Sequence, residues 1–502
     1  LRFDFYCGDF VRWLGGEYTN RHRNWSHDWT NALRMRQRPL PANYPTPDYY
    51  RTFRSDTEGV PLKGHFTTPM REVVNRHQYD NHPAVAANED TVEAKFAKEE
   101  HKSYHLHFLR FVFAFIYGLI LNPIQWAYDK GKGRICIDCT HGPDKKGSAN
   151  SYIPKPDEGK PDECPPVAYQ HALPDFLRRI YRMRLTKPDE PILVHANDIN
   201  AAFRTVLYHP DLAIAFAYVF KSFVLVPVGQ VFGSRSAPSF YTLKADSRQA
   251  VAATMEAPGW EQCPNSLVAE LSITVDETNP LKNVPIDSHH PILTANELAC
   301  PHNATFVDDT GIAEYKSSFQ RALQYSLMAA FMFFGAPGSD RRGDCLQAAK
   351  WIYAVCEVFL FLGFLVDTHH MTISWPLYKR VALRNQLLAI LARKRPIHVT
   401  PKEMAQVIGV LWSASTIADW GVFLSFNLSN NLYQASRHAY STKRTWWTRG
   451  KIYVNKVAEA TMRQLVDTLV LPEHHNVWTR PIALYVDRDF THQSLSDASH
   501  AG

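Results

Sequence analysis

Between Asn88 and about Gly118 apolar residues recur at helical spacing, with Val92, Phe96, Leu106 and Leu109 set among interleaved acidic and basic residues. A short apolar run, Arg134-Ile-Cys-Ile-Asp138, then reads as a strand, and the polar, Gly- and Pro-rich stretch from His141 to Pro166 reads as loop. From Ala172 to Arg184 the period is helical again: Leu173, Phe176, Leu177, Ile180 and Tyr181 share one face of a basic amphipathic helix. The middle third changes character. Ile192 to Asp198 is a strand ending in a carboxylate, Ala213 to Val228 a paired strand or hairpin, and Ala304-Thr-Phe-Val-Asp-Asp309 a second apolar run ending in carboxylates. A helix is expected over Glu314 to Phe334, and a hairpin over Phe359 to Val366 with Met371 to Trp375. Beyond Pro376 the pattern is mostly helical. There Thr400-Pro-Lys-Glu403 offers an N-cap, a proline in the first turn and a glutamate that completes a capping box.

Two stretches hold no sustained period. Residues 1–75 are rich in Arg, Trp, Asn, Pro and Tyr and read as an irregular arm, and residues 257–303, broken by Pro258, Pro264, Pro280, Pro285 and Pro291, read as an inserted loop.

Composition narrows the class without choosing a function. At 502 residues the chain exceeds one compact core, and 45% hydrophobic with 21% charged residues is globular. A net charge of +6 permits a polyanionic partner but does not demand one. Eight scattered cysteines are too few for a disulfide scaffold, so a reducing, intracellular setting (cytoplasm or nucleus) is expected. Cys136-Ile-Asp-Cys139 could be half of a zinc site, but no second pair follows at ligand spacing, and ordinary half-buried thiols are the favoured reading. The opening residues lack the regions of a signal peptide. Of the greasiest stretches, Phe111 to Leu121 is too short to span a bilayer, Leu212 to Val228 carries Lys221 and Trp351 to Val366 carries Glu357, so no membrane span is expected.

Candidate chemistry lies at the two strand ends. Any single Asp in such a place is usually a turn residue. Yet Asp308 and Asp309 are adjacent carboxylates, whose repulsion is costly unless a cation compensates it, and Asp198 comes from another strand. Two such strands can supply hard oxygen ligands to a pair of divalent cations, the requirement of two-metal phosphoryl transfer. Five residues after Asp198 stands Phe203, and between the two strands lies the small-residue run Val228-Gly-Gln-Val-Phe-Gly-Ser-Arg-Ser-Ala-Pro238, which allows close backbone approach.

In order and content these segments resemble reverse transcriptases, particularly those of retrotransposons related to DIRS and gypsy elements. Asp198-Ile-Asn-Ala-Ala-Phe-Arg204 resembles their first palm motif, Phe232-Gly-Ser-Arg-Ser-Ala-Pro-Ser-Phe240 the second and Phe306-Val-Asp-Asp309 the third. Phe361-Leu-Gly-Phe364 is similar to the hairpin that grips the primer terminus, and Asn122-Pro123, Lys130 and Arg134-Ile-Cys-Ile-Asp138 to the fingers segment that contacts the triphosphate. The resemblance spans about 75 to 425. It implies an α+β right-hand fold: fingers over 76–190, a palm of antiparallel strands and helices over 191–376, and a helical thumb and connection over 377–480.

By the same resemblance, Asp198, Asp308 and Asp309 would be catalytic and would hold two Mg2+, with Mn2+ able to substitute. Lys130, Arg134, Ile199, Phe203, Phe232 and Gly233 would line the nucleotide site. Phe203 would exclude a 2′-hydroxyl, and Leu362, Gly363 and Phe364 would form the primer grip. Partners would be an RNA or DNA template with its primer and dNTP, and no membrane. The segment from Pro238 to Asp308 is longer than the family usually needs, and Lys350 is the nearest candidate for a lysine before the primer hairpin. The tail 481–502, with Gln493-Ser-Leu-Ser-Asp497, resembles the opening strand of a ribonuclease H domain in which Asp497 would be a metal ligand; an ordinary polar linker reads equally well.

Basic residues suggest contacts with a duplex. Lys443-Arg-Thr-Trp-Trp-Thr-Arg449 and the run Lys379, Arg380, Arg384, Arg393, Lys394 and Arg395 could meet phosphates, though charge runs are usually just solvated. Two other functions compete. Asp309-Thr-Gly311 is the triplet of aspartic proteases, but it occurs once here and belongs to the paired carboxylates. A retroelement-derived nucleic-acid-binding or structural protein without polymerase activity is the stronger alternative, against which all the palm carboxylates stand intact.

Overall fold

The computed structural model describes residues 80–101, 104–110, 120–129, 132–141, 148–153, 172–208, 213–255, 303–306, 309–334, 357–418, 420–437, 444–471 and 477–485. The expected arm 1–75, nearly all of the insert 257–303, and Lys130, Asp308, Lys350 and Asp497 lie outside the described residues. Helix and sheet are mixed throughout.

A short helix α1 (Pro83–Ala86) leads into α2 (Glu89–His101), which ends earlier than the helical period suggested. Residues His105–Leu109 are instead strand β1, paired antiparallel with β6 (Phe223–Pro227) from His105 opposite Pro227 to Leu109 opposite Phe223. Backbone groups paired along a whole register outweigh local helical spacing. β5 (Tyr218–Phe220) completes this sheet in the order β1-β6-β5, so the expected hairpin in Ala213 to Val228 is present. A separate hairpin joins β2 (Ile124–Asp129) to β3 (Lys132–Ile137). These elements share a core that includes Val92, Phe96, Ile124, Ile137, Phe216, Tyr218, Val224 and Val231.

Helix α3 (Ala172–Thr186) buries Phe176, Leu177 and Ile180, the face its spacing predicts. Then β4 (Ile192–Asp198), α4 (Ala237–Met255), β7 (Asn303–Phe306), β8 (Asp309–Tyr315) and α5 (Phe319–Phe334) follow. The strands form one sheet in the order β4-β8-β7. The expected helix from Glu314 begins only at Phe319, because Glu314 and Tyr315 continue a strand whose Thr310–Glu314 are all buried.

Beyond residue 356, β9 (Val358–Phe361), β10 (Phe364–Asp367) and β11 (Thr372–Ser374) form a meander, one reversal more than a simple hairpin. Helices α6 (Leu377–Leu391), α7 (Pro401–Ala414), α8 (Trp420–Arg437), α9 (Arg444–Arg449) and α10 (Lys456–Thr468) carry most of the rest. A small pair, β12 (His398–Val399) with β13 (Ile452–Tyr453), and β14 (Thr479–Pro481) beside β11 complete it. At Thr400 both arms of the capping box form. The chain clusters into two compact units, one from described residues within 1–173, 195–274 and 299–354, the other from 174–194, 275–298 and 355–502. Among the described residues no helix is long and apolar enough to cross a membrane.

Candidate functional site

Asp198 closes β4 and is 3% exposed. Beside β4 lies β8, which opens on the half-buried Asp309, and Asp309 pairs across the hairpin with Phe306. The residues between them, Val307 and Asp308, lie outside the described residues. Neighbouring strands stand about 4.8 Å apart, so the sheet brings two acidic strands together from segments more than a hundred residues apart.

After buried Ile199 the chain passes through Ala201 at φ 52° into a 3-10 turn, Ala202–Thr205. That turn directs Phe203 edge-on to Phe232, 5.1 Å between ring centroids, and toward Tyr241 at 6.0 Å. Phe232 remains 40% exposed, so these two rings, each expected to line a nucleotide site, meet at a surface. Next to Phe203, buried Arg204 ion-pairs with Glu99 of α2 at 2.7 Å. Burial pushes the Glu99 carboxyl up, but Arg204, His105 and Lys95 outweigh it and hold it below the usual range. His105 lies 3.4 Å from Glu99, and burial pushes its imidazole down despite that neighbour. This anchor was not read from the sequence, and its partners are 105 residues apart.

Gly233 adopts φ +114°, and a Cβ there would collide with the Ile137 carbonyl at the end of β3. The glycine is therefore required by its packing on β3, a reason other than the expected approach to a nucleotide. The same junction is tied by Ile137 N–H donating to the Phe232 carbonyl at 2.8 Å and by Asn150, whose amide donates to the Gly233 carbonyl at 2.7 Å.

One face of α4 braces these parts. Tyr241 meets the Phe203 ring, buried Lys244 donates to the Thr205 carbonyl at 2.9 Å, and buried Arg248 donates to Thr310 Oγ1 at 3.3 Å and Ser326 Oγ at 3.2 Å. Spacings of three and four residues put all of them on one stripe about 10 Å long. The turn after Asp198 and the residue after Asp309 thus contact a single helix face. Sequence reasoning missed this stripe; its one signal was a lysine and an arginine in a helix otherwise rich in small and apolar residues.

Arg134 is exposed on β3, opposite Ala127. In the second unit, Leu362 (φ 47°) and Gly363 (φ 85°) make the β9-β10 turn, Phe364 is buried, and Lys379 Nζ donates to the Gly363 carbonyl at 2.6 Å.

The expected basic face after residue 376 does not survive as a set of free cations. Arg380 is buried and donates to the Leu469 carbonyl at 3.3 Å, and Lys379 is engaged at Gly363. Arg393 grips Glu403 at 2.6 Å, and Arg395 pairs with Glu459 at 2.6 Å. Arg393 and the Thr400 cap hold the Glu403 carboxyl down to about 2. Cys136 and Cys139 are free thiols, and burial pushes both up in pKa, Cys139 well up.

No family model and no curated protein matches the chain. Among solved structures it is similar to foamy viral protease-reverse transcriptase. The form described as dRH with ds DNA matches at 13% identity and TM-score 0.43, over 86% of this chain and 62% of that one. The complex with RNA/DNA hybrid matches at 12% and 0.45, over 86% and 47%, and the complex with dsDNA at 12% and 0.42, over 81% and 61%. The chain thus spans about half to three fifths of the length of those proteins.

Proposed function

We propose that this chain is a template-directed DNA polymerase of the reverse-transcriptase type, from the DIRS- and gypsy-related retrotransposons, with a right-hand architecture. Fingers occupy 76–190, palm 191–376 and thumb with connection 377–480. The observation that carries this reading is the sheet β4-β8-β7, in which the strand ending in Asp198 adjoins the strand opening on Asp309, with both ends braced by α4.

The donor set suits a hard cation, since every ligand on offer is a carboxylate oxygen and Asp198 is buried at its strand end. Asp198, Asp308 and Asp309 would hold two magnesium ions. When bound, such ions lower the charge on the primer 3′-oxygen and stabilise the departing pyrophosphate. The protein's own work is positioning and electrostatics. Phe203, backed by Phe232 and Tyr241, crowds the 2′ position of the incoming sugar. Lys130 and Arg134 brace the triphosphate, and Leu362-Gly363-Phe364 steadies the primer end.

Primer extension on defined RNA and DNA templates tests the proposal. Asp198→Asn and Asp308→Asn should each lower incorporation on the order of 100-fold or more, by analogy with removal of a group that stabilises developing charge. Duplex binding should be retained, and magnesium removal should stop extension by the parent. If the parent chain extends no primer with magnesium present, or if Asp198→Asn extends normally, the assignment fails.

A further inference from the structure

We propose that His82, Asp138 and His141 bind one transition-metal cation of the zinc class, at a site separate from the paired carboxylates and independent of the polymerase reading. His82 Nε2 lies 3.1 Å from Asp138 Oδ2, and His141 Nδ1 lies 3.7 Å from the same oxygen. All the ligand atoms fall within 4.8 Å of one another. Tetrahedral coordination with bonds of about 2.0–2.1 Å sets ligand atoms about 3.3 Å apart, between the two separations to the shared oxygen. The two imidazole rings stand at 80° to each other, 6.4 Å between centroids, so each can aim a nitrogen at a common point without stacking.

The backbone holds this arrangement in place. His82 N–H donates to the Ile124 carbonyl at 3.0 Å, and Asp138 N–H donates to the neighbouring Pro123 carbonyl at 2.8 Å. Since Ile124 pairs with Ile137, both ligands are fixed to the open end of the β2-β3 ladder, the end away from the Asp129–Lys132 pair. His141 N–H donates to the Asp138 carbonyl at 3.1 Å, a turn that brings its ring back over the carboxylate. The other carboxylate oxygen, Oδ1, accepts from Thr140 N–H at 3.4 Å, which orients Oδ2 toward the imidazoles.

Donor type selects the ion. Two imidazoles and one carboxylate favour zinc and its transition-metal neighbours over magnesium or calcium. Side-chain exposures of 17% for His82, 25% for Asp138 and 39% for His141 leave an open side for water as fourth ligand. Cys136 and Cys139 flank Asp138 in sequence but are outside the cluster, so the site differs from the Cys-x-x-Cys half-site the sequence suggested. The consequence is local stiffening: a bound ion staples residue 82 to the end of β3, from which Phe232 hangs by the Ile137 hydrogen bond.

The test uses the full 502-residue chain, stripped with chelator and titrated with Co2+ and then Zn2+. Visible Co2+ absorption should saturate with one equivalent, show no thiolate charge-transfer band and be displaced by Zn2+, and Zn2+ should raise the melting temperature. His141→Ala and His82→Gln should each weaken Co2+ binding by more than about tenfold. Cys136→Ser with Cys139→Ser should leave it unchanged. Circular dichroism checks that each variant is folded; His141 is exposed enough that its replacement should be tolerated. The proposal is overturned if the folded parent binds neither ion, if folded His141→Ala binds like the parent, or if only the cysteine variant loses binding.

Discussion

Phe203 and Gly233 are each held by what surrounds them, Phe203 by other rings and Gly233 by the Ile137 carbonyl. The Phe203 ring touches two other aromatic rings, so its position is fixed by the packing of the fold itself. Under the polymerase proposal, Phe203→Ala should raise incorporation of ribonucleotides relative to deoxyribonucleotides by roughly 10-fold or more, the scale on which a lost contact alters selectivity. Competition between the two nucleotide types in single-turnover extension measures it, and an unchanged ratio removes Phe203 from that role. Gly233→Ala should cost about 1–3 kcal/mol from its backbone conformation alone, with the collision at Ile137 added. Urea unfolding reads this directly. That Asp198 ends a strand was legible in the sequence, because an apolar run ended in it. The Glu99 to Arg204 ion pair was not, since no local pattern links a helix residue to a partner 105 positions away.

At the scale of elements, α4 and β1 each set a measurable dependence. Arg248 is a positioning residue that holds β8 through Thr310 and α5 through Ser326. Arg248→Met should destabilise the fold by about 1–3 kcal/mol, because both hydroxyls lose a charged donor in a buried place. Under the polymerase proposal it should also lower the extension rate more than it changes the KM for nucleotide; a variant of normal rate would leave the bracing purely structural. On β1, His105 and His107 stack at 4.5 Å. Burial, with His105 nearby, pushes His107 down to about 4. The folded state therefore prefers neutral His107, so its contribution is whole above about pH 6.5, the ordinary histidine value, and is lost as pH falls toward about 4. Melting temperature should drop across that window, and His107→Gln should flatten the drop. β1 escaped the sequence reading because Leu106 and Leu109, three residues apart, fit a helical period and point to opposite faces of a strand. Its strand state comes from the long-range register with β6. The capping box at Thr400 was legible because every part of it lies within four residues.

For the whole molecule, the proposed affinity for a duplex would depend on which cations are free to meet phosphate, a number that the net charge of +6 does not reveal. The sequence showed six basic residues after residue 376 as one face, but side-chain pairing is invisible to a charge count. Lys379, Arg380, Arg393 and Arg395 are each engaged within their own unit. Trp447 is 43% exposed on α9, and Arg449, two residues further along the same helix, is exposed as well. A stacked aromatic contributes about 1–3 kcal/mol to nucleic-acid binding, and each phosphate contact steepens the salt dependence by about one unit of slope. Trp447→Ala with Arg449→Gln should therefore weaken binding to a primer-template duplex by about 10-fold or more, with a shallower salt slope. Arg393→Gln with Arg395→Gln should leave affinity within about twofold, because the arginines it removes are already occupied by Glu403 and Glu459. Fluorescence anisotropy at several salt concentrations compares the two pairs in one experiment. The reverse ranking would show that the internal ion pairs open to receive phosphate and that α9 faces elsewhere.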